Sequence, residues 1–215
     1  MKRVFGMFEA VFDLLYLLAG AVVAMLLFMG DASPQRMLAG LMAVVLVAGD
    51  SFHLVPRVAS IFTGKEECLR SALGRSKQIT SITMTVFYVL LWHIGLLAAP
   101  MQNEIFFLVL FYLLAAVRIF LCFLPQNRWQ QRYPPVSWGI FRNIPFALMG
   151  LMVAMRFFSI GNVLPGFSFG WLAVLLSFGF YLPVVLWSNR QPKVGMLMLP
   201  KTCCYLWLLV MCLSL

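Results

Sequence analysis

The chain has 215 residues, 63% of them hydrophobic and only 11% charged, more apolar surface than a soluble domain of this size can hide. The formal net charge of +9 raises nucleic acid as a partner, but no basic patch is interleaved with aromatic residues, and neither a phosphate-cradling glycine loop nor a dinucleotide fingerprint occurs. A soluble enzyme and a nucleic-acid binder are therefore excluded, and the long apolar runs predict a polytopic helical membrane protein whose surroundings are the lipid bilayer.

Seven apolar segments follow one another at 5–29, 37–56, 78–98, 105–124, 138–158, 167–187 and 196–215, each near the ~20 residues that cross a bilayer. They predict an all-α, seven-helix transmembrane bundle with short loops, a single domain over 1–215. Segment 1 begins like a signal peptide, "MKRVFGMFEAVFDLLYLL". Glu9 and Asp13 interrupt its apolar part and no small-residue cleavage site follows, so it reads as a retained span. Turn chemistry separates the segments: "GDASPQR", "AAPMQNE", "LPQNRWQQRYPP", "SIGNVLPG" and "SNRQPK". The stretch from Arg57 to Lys77 is expected to be the longest loop, with "TGKE" at 63–66 as a capping box for a short surface helix. Segment 7 needs residues 195–199 to reach bilayer length, since 14 residues after Lys201 span only ~21 Å. Pro200 and Lys201 then fall inside the helix.

Lys and Arg set the direction. Lys2, Arg3, Arg57, Lys65, Arg70, Arg75, Lys77, Arg128, Arg132, Arg190 and Lys193 lie on the N-terminal side, and only Arg36 and Arg156 on the other. This bias predicts the N-terminus inside and the C-terminus outside. A bacterial plasma membrane is the expected location. The five cysteines show no framework spacing and read as free thiols. His93, beside Trp92, is expected to be a hydrogen-bonded residue of the outer aromatic belt.

The ionisable residues inside the segments fall at one depth. At 1.5 Å per residue, Glu9 lies ~9 Å and Asp13 ~15 Å from the cytoplasmic boundary, His53 ~6 Å, Asp50 ~10 Å and Arg118 ~10 Å. Arg142, Asn143, Tyr181 and Lys201 come to a similar level, with Thr80, Ser81 and Thr83 on segment 3. Three acids and three bases at one level would face the bundle interior and pair, because an unpaired charge in lipid costs several kcal/mol. Arg118 is the expected partner of Glu9 and Asp13. Pro56, Pro125 and Pro183 near the inner ends would free carbonyls and splay the helices, opening a cavity toward the cytoplasm.

The stretch "VAGDSFHLVPRV" at 47–58 stands at the centre of this layer. Asp50 and His53 are i,i+3 and share a helical face, which makes half of a metal site; Glu9, Asp13, Cys203 or Cys204 would have to complete it. In span number, direction and inner-leaflet polar level the chain resembles the haemolysin III and adipoQ-receptor families, and the resemblance implies an inner-leaflet zinc site. The paired histidines of their last span are absent here, where "PKTCCY" stands. The expected function is a pocket for a small polar or amphiphilic ligand formed by Glu9, Asp13, Asp50, His53, Arg118, Arg142, Asn143, Tyr181 and Lys201. A transporter, proton-coupled through the acids, fits that pocket. So does an intramembrane lipid hydrolase using Asp50 and His53, with or without a metal cofactor, and so does a charge network that only packs helices.

Topology is testable directly. Reporter fusions at the two termini should report opposite sides of the membrane, the N-terminal one cytoplasmic. Both reporters on one side would overturn the seven-span count.

Overall fold

The structure is a computed structural model that describes residues 2–64 and 66–215, with side chains for all of these except 2–5, 66 and 192. It is all-α, with no strand among the described residues. The long helices are α1 (Lys2–Met29), α2 (Pro34–Thr63), α3 (Glu66–Ala98), α4 (Glu104–Phe123), α5 (Val136–Ser159), α6 (Gly170–Trp187) and α7 (Met198–Met211). Seven helical stretches are long and apolar enough to cross a membrane, which fits an integral membrane protein.

Local chemistry explains most boundaries. Ser33 caps α2, its hydroxyl accepting from the Arg36 N–H at 3.2 Å, and Pro34 follows as the first helical residue, where its missing N–H costs nothing. Pro200 sits equally harmlessly in the first turn of α7, which is preceded by a 3-10 stretch, Pro192–Leu197. Lys201 therefore lies in the helix of segment 7, as expected from its length.

The loop expected between Arg57 and Lys77 is absent. α2 runs through Pro56 for seven more residues to Thr63. Gly64, at φ 67°, stops it with a left-handed cap whose N–H bonds the Ser60 carbonyl at 3.0 Å. α3 starts at Glu66. Thr63 is thus the end of one helix, not the N-cap of another; the Lys65 position of the expected capping box lies outside the described residues. The proline did not end the helix because it removes one backbone bond, while the residues after it keep helical spacing. One consequence matters below: Arg57, expected at a boundary, is inside α2.

Consecutive helices are antiparallel, and hydrogen bonds between their ends show it. Arg36 at the start of α2 donates to Leu26 and Leu27 carbonyls at the end of α1, and also to Leu213 beyond α7. Gln35 donates to Leu97 at the end of α3, and Gln78, in the first half of α3, donates to Cys122 at the end of α4. The residues that follow α7 therefore lie at the same end of the bundle as the C-terminal end of α1. α7 packs on α6 and α1, closing the ring of neighbours, and α3 also touches α5.

Lipid tails are as apolar as leucine, so packing rather than water exclusion must hold such helices together. Aromatic rings provide it here. Tyr88 meets Phe87, Phe146 and Phe178 at centroid distances of 4.9–5.7 Å, Phe87 meets Tyr205, and Trp92 stacks on Phe111 at 4.8 Å. Trp92 is 2% exposed, so it is core and not part of an outer belt. His93 is hydrogen-bonded as expected, to the Val89 carbonyl at 2.8 Å and toward the Tyr112 hydroxyl at 3.3 Å. All five cysteines are free. Leu14, Leu18, Val109, Phe120, Ile144 and Phe158 are among many large apolar side chains left exposed on the outside.

One close approach positions the site. A Cβ on Gly74 of α3 would stand 2.6 Å from the Trp129 carbonyl oxygen and 2.8 Å from Gln130 Cα. Backbone cannot swing aside as a side-chain tip does. Gly74→Ala should therefore lower stability by about 1–3 kcal/mol. Gly179→Ala, where a Cβ meets nothing within 4 Å, should be neutral or gain up to ~1 kcal/mol. Thermal unfolding of the two purified variants measures the contrast.

Candidate functional site

Among the described residues the charged and polar side chains expected in one layer are sorted by sign. The acids gather between α1 and α2. Glu9 takes a two-point ion pair from Arg57, with Nε to Oε1 at 2.8 Å and Nη2 to Oε2 at 3.3 Å. Asp13, one turn further, is 5% exposed and lies within the fields of Glu9, Arg57 and Asp50. Asp50 accepts a hydrogen bond from the Tyr16 hydroxyl at 2.7 Å. Among the described residues Arg118 forms no ion pair with Glu9 or Asp13; the continued α2 helix brings Arg57 to Glu9 instead.

The bases gather on the other side, around a cavity of about 280 Å³. His53, Arg118, Arg142, Tyr181 and Lys201 line it, together with Lys77, Thr80 and Ser81 of α3 and Trp129 of the α4–α5 connection. Glu9, Asp13, Asp50 and Asn143, also expected in the pocket, do not line it. Asn143 is buried, its amide donating to the Gly139 carbonyl at 2.8 Å and its Oδ1 without a hydrogen-bond partner. The acids and bases thus do not pair across the layer. Lys201 links the halves: it lines the cavity, and its charge interacts with that of Asp50.

Asp50 and His53 leave α2 toward different neighbours. Asp50 addresses Tyr16 of α1, and His53 Nδ1 stands 3.3 Å from Ser76 Oγ of α3. The Ser76 hydroxyl donates its hydrogen to the Leu73 carbonyl at 2.9 Å, so the imidazole must supply the proton of the His53–Ser76 contact from Nδ1. Among the described residues no three His, Cys, Asp or Glu side chains converge. The half-site is not completed by Glu9, Asp13, Cys203 or Cys204, and the inner-leaflet zinc site implied by the family resemblance has no ligand set here.

Aromatic rings, not carboxylates, brace the cavity cations. The Arg118 guanidinium lies over the Phe146 ring with Cζ 3.1 Å from the centroid. Arg142 lies over Trp129 at 4.2 Å, and Lys201 Nζ stands 4.6 Å from the Tyr181 centroid and 5.2 Å from that of Tyr205. A small scaffold at the end of α4 holds this arrangement. The Asn127 amide donates to the Leu121 and Leu124 carbonyls at 2.6 and 2.9 Å, and its Oδ1 accepts from Arg142 Nη1 at 2.9 Å. The Trp129 indole donates to the Cys122 carbonyl at 3.0 Å. Tyr16, Arg57, Ser76, Asn127 and Trp129 are the residues that sequence reasoning missed. Tyr16 had a signal, since 9, 13 and 16 fall on one helical face; Asn127 and Trp129 sit in a connection and had none.

The sign-sorted arrangement predicts a specific coupling. Glu9→Gln and Arg57→Ala should each destabilise, and the double variant should show an interaction energy of about 1 kcal/mol. Glu9→Gln combined with Arg118→Ala should be additive within about 0.5 kcal/mol. Chemical unfolding of the single and double variants gives both numbers, and coupling to Arg118 instead would restore the interleaved layer.

Compared with known proteins, the chain matches no family, no curated protein and no solved structure.

Proposed function

We propose that this is a transporter that binds a small polar or amphiphilic ligand in the cavity at the basic end of the bundle, with proton coupling through the acids of α1 and α2. The charge bias of the loops supports a cytoplasmic opening. The observation that carries the reading is the cavity itself: polar groups of α2, α3, α4, α5, α6 and α7 converge on it beside apolar walls such as Met84, Phe146 and Val184. Sites of that kind, small and mostly apolar with a few convergent polar groups, are where ligands bind.

Two further features favour transport over hydrolysis. Prolines interrupt three of the cavity-lining helices, Pro56 in α2, Pro145 in α5 and Pro183 in α6, and each removes a backbone bond where a helix can bend. Asp50 stands outside the cavity, and its charge acts on Lys201, which lines it. A ligand that draws the Lys201 ammonium toward itself weakens the hold on Asp50, which gives ligand and proton a common element. Hydrolysis would need Asp50 and His53 to act on one atom, and they address different helices.

The test separates binding from coupling. A panel of small anionic, neutral, zwitterionic and cationic compounds is screened by thermal shift on purified protein, and compounds that bind are followed in proteoliposomes with an internal pH dye. Asp50→Asn keeps an acceptor for the Tyr16 hydroxyl but gives up the charge. It should unfold within a few degrees of wild type (roughly the effect of 1 kcal/mol), still bind, and lose ligand-driven proton movement. His53→Ala should change binding and leave coupling in place. Full coupled flux in Asp50→Asn would remove the proton role from the acids, and a panel without any binder would remove the ligand site.

A further inference from the structure

We propose that the cavity is an oxyanion site that takes a phosphate group carried on a short apolar body, with the Arg118 guanidinium as its buried anchor and Arg142 and Lys201 as flanking cations. The proposal rests on reading the cavity as a ligand site, and it names the ligand class.

Arg118 is 2% exposed, and its Nε and Nη1 have no hydrogen-bond partner. The Phe146 ring beneath it attracts the charge through its face. Guanidinium N–H groups lie in the guanidinium plane, so a ring stacked on that plane satisfies none of them. Arg142 Nε is likewise buried without a partner, and Lys201 is 9% exposed with two tyrosine rings beside it. Among the described residues neither arginine nor Lys201 forms an ion pair, and no carboxylate lines the cavity. Stacking on rings leaves the charges of Arg118, Arg142 and Lys201 in place beside the cavity that these residues line.

The fold gives other arginines of the bundle backbone carbonyls as partners. Arg36 gives Nε, Nη1 and Nη2 to the carbonyls of Leu27, Leu213 and Leu26. Arg156 gives Nε and Nη2 to Gly95 and Nη2 also to Ala99. The orphaned donors of Arg118 and Arg142 are therefore local to the cavity. Leaving a desolvated cation uncompensated is costly, and an anion in the cavity removes that cost.

Phosphate fits the charge better than carboxylate does. Arg118, Arg142 and Lys201 bring three positive charges, and a phosphate monoester at neutral pH carries about −1.5 to −2 with three acceptor oxygens. A carboxylate carries one charge on two oxygens. The volume of about 280 Å³ suits a head group and a few carbons, and Met84, Phe146 and Val184 supply an apolar wall for them. The same chemistry is offered by a lipid headgroup and by a soluble phosphate.

The experiment uses the full chain in nanodiscs of neutral phosphatidylcholine, titrated calorimetrically with hexyl phosphate, hexanol and hexyltrimethylammonium. Hexyl phosphate should bind and the other two should not. Arg142→Gln and Arg118→Lys should each weaken hexyl phosphate binding roughly tenfold or more, because a lysine cannot replace the guanidinium fork; Arg118→Gln should abolish it if folded. Displacement by inorganic phosphate identifies a soluble ligand, and displacement by phosphatidic acid in the disc identifies a lipid headgroup. Equal binding of hexanol or hexyltrimethylammonium, or hexyl phosphate binding untouched by Arg142→Gln and Arg118→Lys, overturns the oxyanion site while leaving a ligand cavity. Absence of binding by all three probes overturns the cavity reading together with it.

Discussion

A guanidinium among apolar helices has five N–H donors and a charge to satisfy, and everything notable in this bundle follows from how that is done. At one end, Arg36 and Arg156 turn their donors onto carbonyls left open where α1 and α3 finish. The last carbonyls of a helix carry its partial negative charge and lack intrahelical partners. These two arginines complete helix ends, and they clamp α1 to α2 and α3 to α5 in doing so. At the other end Arg57 completes a carboxylate, Glu9. Arg118 stands over the Phe146 ring, and its Nε and Nη1 are buried without a hydrogen-bond partner.

The difference between those ends comes from which groups each helix can reach. Carbonyls are available only at helix termini, and Arg118 sits five residues inside the end of α4. The acids Glu9, Asp13 and Asp50 are on α1 and α2, which pack chiefly on each other, on α3 and on α7, and Glu104 stands at the opposite end of α4 from Arg118. What surrounds Arg118 is the aromatic packing that holds the middle of the bundle together, and Phe146 belongs to it, in contact with Tyr88 and Phe178. The ring that braces the cation is thus also a core residue. Packing and site share one side chain, since Phe146 also lines the cavity.

The acids are held apart by the same geometry. Asp50 and His53 are one turn apart on α2, but α2 lies between α1 and α3, and each side chain takes the neighbour nearest to it. A helical face wide enough to hold both residues is also wide enough to serve two partners. That is why an Asp-x-x-His spacing was readable as a single site and is instead a divide, with a tyrosine-held carboxylate on one side and a serine-held imidazole on the other.

Hydropathy alone determined the number of spans, their order and the all-α class, because a backbone in lipid must satisfy its own hydrogen bonds and only helices do so within one segment. A common depth for the polar groups is an expectation of the same origin, counted from residues at a fixed rise. The role of Lys201 in the helix of segment 7 came from the same count. Rotation of each helix about its axis was not legible, nor which helices are neighbours around the ring. Both depend on side chains interlocking between segments far apart in sequence, such as Phe87 with Tyr205 and Tyr88 with Phe178. Those two quantities decided that Arg57 and not Arg118 meets Glu9, that Asn127 and Trp129 of a connection support Arg142, and that acids and bases separate. Composition sets how many charges lie in the layer, but only the packing of α1 through α7 decides which of them are left to face a cavity.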